Sequence, residues 1–168
     1  MKKLSLLFGL ILSGLCHFNL LQAQHISQEN EFEALMQKIR QDFAQNPDIT
    51  QGLEKYNVQD GSFTDVDYAS IQRTNWPPLV HINRISDFVF AYTNPKNRYY
   101  QNEDLYNKIE KGLEYWHERN PWCHNWWYNQ IAEPQALGVL LIQMRTGKKQ
   151  LPHELENKLL ERIKKDGG

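Results

Sequence analysis

The sequence predicts an all-α protein, and three observations support this fold class. Apolar residues recur at intervals of three and four in five separate stretches, the spacing that places them on one face of a helix. No stretch alternates apolar and polar residues with the period of two that a half-buried strand shows. Asn-Pro pairs and glycines stand between the stretches, where helices commonly end. Helices joined in this way by loops favour antiparallel pairs.

The N-terminal 23 residues have the pattern of a secretory signal peptide. Lys2 and Lys3 form a charged start, and residues 4–15 form an apolar run that is too short to span a bilayer comfortably. Ala23 offers a small residue for cleavage, so we expect the mature chain to begin near Gln24. No transmembrane span follows in the sequence. We therefore expect a secreted or periplasmic protein with no membrane association after cleavage.

Composition limits the classes of protein that the chain can form. Its 168 residues are 40% apolar, which suits one globular domain with its own core. The net charge of −1 gives no basic footprint, so we expect no nucleic-acid partner. Cys16 lies in the signal peptide, which leaves Cys123 as the single cysteine of the mature chain. A single cysteine cannot form an internal disulfide, and we expect Cys123 to be a buried, unreactive thiol.

Five helices account for the regular spacing of the apolar residues. They are predicted over residues 29–44, 77–92, 102–119, 133–145 and 152–164. Their apolar faces, in the same order, are Phe32, Leu35, Met36, Ile39 and Phe43; Ile82, Ile85, Phe88, Val89 and Tyr92; Leu105, Ile109, Leu113 and Trp116; Ala136, Leu137, Leu140, Leu141 and Met144; and Leu155, Leu159, Leu160 and Ile163. Such faces are buried when helices pack in pairs, so these residues form the predicted core.

Residues that start or stop helices stand close to the predicted boundaries. Asn46-Pro47 is expected to end the first helix. Thr74 or Asn75 is expected to cap the second helix at its N-terminus. Gly147 is the expected C-terminal cap of the fourth helix.

A long irregular stretch separates the first two helices. Its turn signal is Asp60-Gly61-Ser62. Asp60, Asp65 and Asp67 alternate as at the start of a calcium-binding loop, but the further ligands of an EF-hand do not follow. We therefore interpret the three aspartates as turn residues and expect no metal ion.

Residues 121–138 contain the densest signal in the chain. Trp122, Trp126, Trp127 and Tyr128 lie together with three carboxamides on a loop that leads into the fourth helix. Tryptophan planes suit the apolar faces of sugar rings, and carboxamides suit the polar rims because they both donate and accept hydrogen bonds. The same tryptophans would equally serve as anchors in a helical core. Chemistry alone leaves both interpretations open.

Ordered motifs along the mature chain give this segment a context. They are Asp60-Gly61-Ser62-Phe63-x-Asp65-Val66-x-Tyr68, Thr74-Asn75-Trp76, Tyr99-Tyr100, Tyr115-Trp116, Asn125-Trp126-Trp127, Asn129-x-Ile131-Ala132-x-Pro134-Gln135-Ala136-Leu137-Gly138 and Met144-Arg145-x-Gly147-Lys148-Lys149. In this order the motifs closely resemble polysaccharide lyase family 8, of the chondroitin AC lyase and hyaluronate lyase type. The resemblance covers nearly the whole mature chain.

The resemblance implies a fold and a binding site. Residues 24–168 would form the first part of an incomplete toroid of antiparallel helix pairs, which large β-sandwich domains follow in the family. A long cleft across the toroid would bind an anionic glycosaminoglycan. Trp126 and Trp127 match the aromatic patch that positions the sugar chain, and Asn125 matches the polar residue beside it. We expect Asn129 to join them as a substrate-binding residue.

The resemblance also implies a β-elimination whose chemical groups do not match this chain. In the family an Asn neutralises the uronate carboxylate, a Tyr and a His transfer protons, and an Arg assists. These groups come from segments downstream of the matched part, so we expect no catalytic residue and no cofactor in residues 24–168. His124 and Tyr128 flank the tryptophans without matching catalytic positions. We interpret them as a loop histidine and a packing tyrosine.

Two departures and an alternative function stay open. Tyr128 and Gln130 stand where acidic residues are common in the family, which leaves the identity of the glycosaminoglycan open. The favoured function is the N-terminal region of a lyase whose partners are an anionic polysaccharide and the C-terminal remainder of the enzyme. The alternative is a secreted helical module that binds glycans without catalysis. The resemblance disfavours a helical interaction protein with no sugar role.

Overall fold

The computed structural model describes residues 29–166, and the regular elements among these residues are helices. Within this range, extended pairing is confined to an isolated antiparallel bridge between Tyr56 and Phe63. The all-α prediction is therefore confirmed. The predicted signal peptide, residues 1–23, lies outside the described residues. Over residues 29–166, none of the helices combines the length and apolar character that crossing a membrane requires.

Six α-helices and one π-helical turn follow one another in the described part of the chain. They are α1 (29–42), α2 (Thr50–Lys55), α3 (Leu79–Thr93), α4 (Glu103–Arg119), the π-helical turn Tyr128–Ala132, α5 (Glu133–Met144) and α6 (His153–Asp166). Apolar spacing predicted five of the α-helices with boundaries close to those observed. The six residues of α2 are too few for a periodic pattern, and the spacing did not predict them.

The chain divides into two compact units, one up to Gln41 and one from Asp42 onwards. In the first unit, α1 buries Met36 but leaves Phe32 and Leu35 exposed over more than half of their surfaces. The prediction of a fully buried apolar face on α1 is therefore wrong. Apolar spacing shows that a helix is amphipathic, but it does not supply a partner for the apolar face.

In the second unit, α3 and α4 form an antiparallel hairpin. Tyr92, near the end of α3, packs against Tyr106, near the start of α4, with ring centroids 5.9 Å apart. His81, near the start of α3, stacks on Trp116, near the end of α4, with ring centroids 5.4 Å apart. The two helices therefore run in opposite directions.

Helices α5 and α6 form a second antiparallel hairpin beside the first. Arg145, at the end of α5, pairs with Glu156 of α6 at 2.9 Å, and Glu133, at the start of α5, pairs with Arg162 near the end of α6. Helix α3 packs on both α4 and α5, and α6 packs on both α5 and α4. The four helices thus form two layers, α3 with α5 and α4 with α6. Side-by-side antiparallel pairs are the arrangement that the predicted toroid repeats.

The predicted apolar faces of α3 to α6 form the core of the second unit. The residues among them that are almost completely buried are Ile82, Ile85, Phe88, Val89, Tyr92, Leu105, Ile109, Leu113, Trp116, Leu137, Leu140 and Leu159. Ala136, Leu160 and Ile163 pack against its edge. The core prediction for these four helices is confirmed.

Two predicted helix caps are wrong. Helix α3 begins after Pro78 without a side-chain cap, and Asn75 instead takes a left-handed conformation with φ of 50° in the preceding loop. Arg145 is the C-cap of α5, and Gly147 lies two residues further, donating its N–H to the carbonyl of Met144 at 3.0 Å. Asn75 and Gly147 are residue types that often cap helices, but the observed caps are Pro78, three residues after Asn75, and Arg145, two residues before Gly147. Residue type alone therefore does not fix the boundary of a helix.

The Asp60-Gly61-Ser62 turn is confirmed and is fixed against α4. The Asp60 carboxylate accepts hydrogen bonds from the backbone N–H and the hydroxyl of Ser62, at 2.9 and 2.7 Å. Gly61 has φ of +85°, and a Cβ at this position would lie 2.5 Å from the backbone oxygen of Lys111. Glycine is required here because both the conformation and the close approach exclude a side chain.

Asp65 and Asp67 have different roles, and the prediction that both are turn residues is half right. Asp67 accepts a hydrogen bond from the backbone N–H of Ala69 at 3.0 Å, as a turn aspartate does. Asp65 instead receives two parallel hydrogen bonds from the Arg84 guanidinium, at 2.5 and 2.8 Å. The bonds from Arg84 hold the pKa of Asp65 below its usual value.

A buried aromatic cluster joins the irregular stretch to α3 and α4. We define it as Phe63, Tyr68, His81, Tyr115 and Trp116. The His81 ring lies at its centre, with centroids 5.2 Å from Phe63, 5.6 Å from Tyr68, 5.7 Å from Tyr115 and 5.4 Å from Trp116. These contacts fix the long stretch to the helical core without regular secondary structure.

Hydrogen bonds through the cluster fix the tautomer of His81, and burial keeps the ring neutral. The backbone N–H of Phe63 donates to the Tyr68 hydroxyl at 2.8 Å, and that hydroxyl lies 2.8 Å from His81 Nδ1. His81 Nε2 lies 2.9 Å from the carbonyl oxygen of Gly112. The carbonyl can only accept, so Nε2 carries the proton and Nδ1 accepts from Tyr68. Burial lowers the pKa of His81 to about 4.

Candidate functional site

The segment from Asn120 to Ala132 connects α4 to α5 and carries the predicted site. It begins as a loop, enters one helical turn at Trp126 and continues as the π-helical turn Tyr128–Ala132. Trp126 is 61% exposed and Trp127 is 45% exposed. We call these two side chains the tryptophan platform. Their exposure contradicts the interpretation of these tryptophans as core anchors.

Asn125 fixes the start of the helical turn that carries the platform. Its Oδ1 accepts a hydrogen bond from the backbone N–H of Trp127 at 3.1 Å, which is the geometry of an N-terminal cap. Its Nδ2 donates to the carbonyl oxygen of Arg73 at 2.9 Å, which ties the turn to the preceding loop. Asn125 therefore connects the backbone of Trp127 to the loop that contains Arg73.

Asn129 is buried and its carboxamide is used by the loop itself. Its Oδ1 accepts a hydrogen bond from the backbone N–H of Cys123 at 3.0 Å, and its Nδ2 donates to the carbonyl oxygen of Cys123 at 2.7 Å. This pair of bonds closes the loop onto the π-helical turn. The structure thus places Asn129 with the other predicted residues, but its side chain is directed into the loop.

Cys123 is completely buried, as predicted for an unreactive thiol. Its Sγ lies 2.8 Å from the carbonyl oxygen of Gln72, and the backbone N–H of Asn125 donates to Sγ at 3.3 Å. The thiol therefore adds a second link between the loop and residues 72–73.

Tyr128 is a packing residue, as predicted. Its ring centroid lies 5.7 Å from the buried Trp76 and 5.2 Å from Trp127. Trp76 is in turn fixed by a hydrogen bond from its indole N–H to the carbonyl oxygen of Ser70 at 2.9 Å. His124 is exposed and meets Trp122 edge to face at 4.9 Å. The structure therefore agrees with a packing tyrosine and a loop histidine.

An ion pair between Glu133 and Arg162, which the sequence analysis did not predict, fixes the platform segment to α6. Glu133 is buried and accepts hydrogen bonds from Arg162 on both carboxylate oxygens and from the Trp116 indole N–H at 2.9 Å. Arg162 also donates to the Asn120 side chain and to the carbonyl oxygen of Pro121, the latter at 2.9 Å. We call this set the arginine clamp. It joins both ends of the platform segment to α6.

A cavity of about 520 Å³ lies beside Trp122, on the side of the segment that faces α6. Lys158, Arg162 and Lys165 line it together with His117. Glu161 also lines the cavity and pairs with Lys164, which lies outside the lining. Glu133 neutralises Arg162 and Glu154 pairs with Lys158 at 2.7 Å, so Lys165 gives the cavity its net positive charge. The residues suit an anionic group more than a cation.

Over residues 29–166, no three His, Cys, Asp or Glu side chains converge as a metal site would require. Among the histidines of residues 29–166, His81 lies in the aromatic cluster and His153 contacts Asn157.

Comparison with known proteins defines the class to which this fold and site belong. The sequence profile of polysaccharide lyase family 8, N-terminal alpha-helical domain, matches residues 21–168. The match covers most of the chain, and the chain belongs to this family.

A curated relative and a solved structure make the likeness more specific. The chain is 42% identical over 106 residues to chondroitinase-AC of Pedobacter heparinus, a match that covers 63% of this chain and 15% of that protein. A structure of chondroitinase AC lyase, from a study of enzyme–oligosaccharide complexes, superposes with a TM-score of 0.75 and 36% identity over 79% of this chain and 20% of that one. The toroid prediction agrees with this neighbour, an α/α toroid protein.

Proposed function

We propose that residues 24–168 are the substrate-platform region of a glycosaminoglycan lyase, in which Trp126 and Trp127 bind the sugar rings of an anionic polysaccharide. The observation that carries the proposal is the exposure of two adjacent tryptophans on a segment that is fixed from below. Burial usually removes such side chains from water, so an exposed and anchored pair favours a ligand.

The anchoring supports the proposal because it reduces the entropy that binding must lose. Asn125, Cys123 and Tyr128 tie the segment to residues 72–76, and the arginine clamp ties its ends to α6. A platform that is rigid before binding retains more of its contact energy as affinity.

The two predicted asparagines have different parts in this proposal. Asn125 is half-buried and keeps one donor and one acceptor position for a sugar hydroxyl beyond its two loop bonds. Asn129 is buried and bonded to Cys123, so we assign it to positioning the loop.

The chemistry of elimination belongs, in this proposal, to other parts of a longer enzyme. The chain spans 15% of the length of the curated chondroitinase-AC and 20% of the solved chondroitinase AC chain. Incubating the purified chain with chondroitin sulfate or hyaluronan should therefore give no rise in the absorbance of unsaturated uronate. Robust turnover would show that this chain carries its own catalytic groups.

Binding of chondroitin oligosaccharides, measured by titration calorimetry, tests the platform. The Trp126→Ala, Trp127→Ala double variant should lose at least about tenfold in affinity, because each ring contributes contact area that nothing replaces. Tyr100→Ala is the matched control, since Tyr100 is an exposed aromatic residue that lines neither the platform nor the cavities beside it. Helical circular dichroism should be unchanged in both variants. Equal affinities for the double variant and the control would remove the platform assignment.

The alternative, a secreted glycan-binding module without catalysis, shares the platform and differs in its genetic context. Reading the gene beyond codon 168 separates the two. A continuing frame with Asn, His, Tyr and Arg in lyase order supports the enzyme, and a stop without such sequence supports the module.

We also propose that the chain is exported, to the periplasm or beyond, after cleavage near Ala23. N-terminal sequencing of protein recovered outside the cytoplasm tests this, and a first residue near Gln24 is expected. Recovery of the chain with Met1 intact would contradict it.

A further inference from the structure

A groove of about 400 Å³ lies between α3 and α5 and has Trp127 in its wall. Helix α3 contributes a stripe of residues at positions 79, 83, 86, 87 and 90, and α5 contributes positions 135, 136 and 139. Positions 79, 83, 86 or 87, and 90 are three or four residues apart, as are 135 or 136 and 139, which places each set on one side of its helix. The platform segment leads directly into α5, one of the two helices, so the groove adjoins the exposed side chain of Trp127.

The groove combines apolar and polar surface in the way that a sugar site requires. Leu79, Phe90 and Val139 give it apolar walls, and Asn83, Asp87 and Gln135 give it polar groups. Among the described residues, the Asp87 carboxylate has no hydrogen-bond or ion-pair partner in the structure, and only its burial raises its pKa. A half-buried carboxylate without a partner is costly, so a ligand that donates hydrogen bonds to it would recover stability.

The charges of the groove differ from those of the cavity beside Trp122. The lining of the groove contains Asp87 but no lysine or arginine. The cavity beside Trp122 is lined by three basic side chains, Lys158, Arg162 and Lys165, and by one carboxylate, Glu161. The platform segment therefore lies between one cavity that suits anions and one that disfavours them. A glycosaminoglycan alternates a charged uronate with an amino sugar, and two unlike cavities match such a polymer.

We propose that the α3–α5 groove is a sugar subsite next to Trp127, and that Asp87 makes it accept a sugar unit presenting hydroxyl groups in preference to a sulfated one. The inference rests on the proposed function, because it adds specificity to the same platform. An ionised carboxylate accepts hydrogen bonds from hydroxyls and repels a sulfate, so a single residue both favours one unit and excludes the other. Asn83 and Gln135 supply further donors and acceptors to the same unit.

The test compares unsulfated and sulfated chondroitin oligosaccharides of equal length, titrated into the 168-residue chain. Wild type should bind the unsulfated oligosaccharide more tightly. Asp87→Asn keeps the shape and removes the charge, and it should raise the affinity for the sulfated oligosaccharide by about fivefold to tenfold while changing the other by less than about threefold. Glu103→Gln, which removes a charge from an exposed position at the start of α4, far along the helix from the platform segment, is the control and should change neither affinity.

A second variant keeps the test decisive if Asp87→Asn folds poorly. Gln135→Glu adds a carboxylate at an exposed position in the first turn of α5, where acidic residues are well tolerated. It should weaken binding of the sulfated oligosaccharide by about threefold more than it weakens binding of the unsulfated one, because loss of the amide donor affects both and the added charge repels only the sulfate.

The outcomes separate this inference from the proposed function. If wild type binds neither oligosaccharide, the platform itself fails, and the subsite fails with it. If both bind with Trp126 and Trp127 required, but neither Asp87→Asn nor Gln135→Glu alters the ratio of affinities, the platform stands and the subsite is overturned. A wild-type preference for the sulfated oligosaccharide would also overturn it.

Discussion

The buried aromatic cluster and the tryptophan platform differ in their exposure to solvent. The buried aromatic cluster places His81 and Trp116 completely inside the protein, and each polar atom of His81 and the Trp116 indole has a hydrogen-bond partner. The tryptophan platform leaves Trp126 and Trp127 exposed, although the backbone beneath them is fixed. Aromatic content therefore does not distinguish a core from a binding surface. In the buried cluster, the surrounding polar groups form hydrogen bonds with the rings themselves. At the platform, they form hydrogen bonds with the backbone that carries the rings.

The largest expected effect contrasts one tryptophan from each group. Trp116→Ala should lower the free energy of unfolding by about 4–5 kcal/mol, because it opens a cavity and removes a hydrogen-bond donor from the buried Glu133. Trp126→Ala should lower it by no more than about 0.5 kcal/mol, because the ring is mostly exposed. Urea unfolding of both variants measures the contrast. Similar losses would mean that the platform is part of the core.

The arginine clamp offers the next effect, and it connects the two groups. Arg162→Ala should cost about 3 kcal/mol of unfolding free energy, because Glu133 is left charged and buried without its partner. It should also weaken oligosaccharide binding, because the ends of the platform segment are released. Lys164→Ala, which removes an exposed ion pair with Glu161 on the same helix, is the control. Equal stability of both variants in urea would show that the clamp is not required.

The buried histidine predicts a dependence on pH that the platform does not share. The pKa of His81 falls from an ordinary 6.5 to about 4 on folding, so the unfolded chain binds the proton more tightly than the folded one. Its stabilising contribution is complete above the unfolded pKa and is lost as the pH falls towards 4, by roughly 2 to 3 kcal/mol. Urea midpoints of wild type and His81→Gln across this range measure the difference. His124→Gln, at an exposed position, should keep the wild-type slope, and a slope unchanged in His81→Gln would contradict the assignment.

The smallest effect concerns the edge of the buried cluster. Asp65→Asn breaks the bidentate pair with Arg84, whose guanidinium also lies 5.0 Å from the centre of the Phe63 ring. The pair is partly exposed, so the expected cost is up to about 1 kcal/mol and should shrink at high salt. A loss that is insensitive to salt would show that the pair acts by packing and not by charge.

Periodicity was sufficient for the helices and their inward faces, because burial of apolar residues at intervals of three and four determines both. It failed for α1, where Phe32 and Leu35 follow the same pattern as Ile82 and Ile85 but remain exposed. Apolar spacing is determined by the sequence of one helix, whereas burial also requires a second surface that packs against that helix.

The site was predictable in residue type and only partly in role. Trp126 and Trp127 were identified from their chemistry and the family resemblance, and the structure shows them exposed as a binding surface requires. Asn129 was predicted to be a substrate-binding residue, and in the structure its carboxamide bonds to Cys123. A carboxamide can bond to a loop or to a ligand equally well, so its type alone does not define its role. Glu133 and Arg162 are 29 residues apart, and no local pattern announces a pair at that separation.

The π-helical turn Tyr128–Ala132 has a geometric consequence for the platform. A π turn holds one residue more than an α turn, and each residue of an α-helix advances by about 100° around the axis. The tryptophans therefore face a direction that an uninterrupted continuation of α5 would not give them. The direction in which Trp126 and Trp127 project from the helix axis depends on the number of residues in the turn and not on their types. Deletion of Gln130 or Ile131 would keep the two tryptophans and Asn129 in the sequence. It should nevertheless rotate the platform around the helix axis by about 100° relative to α5.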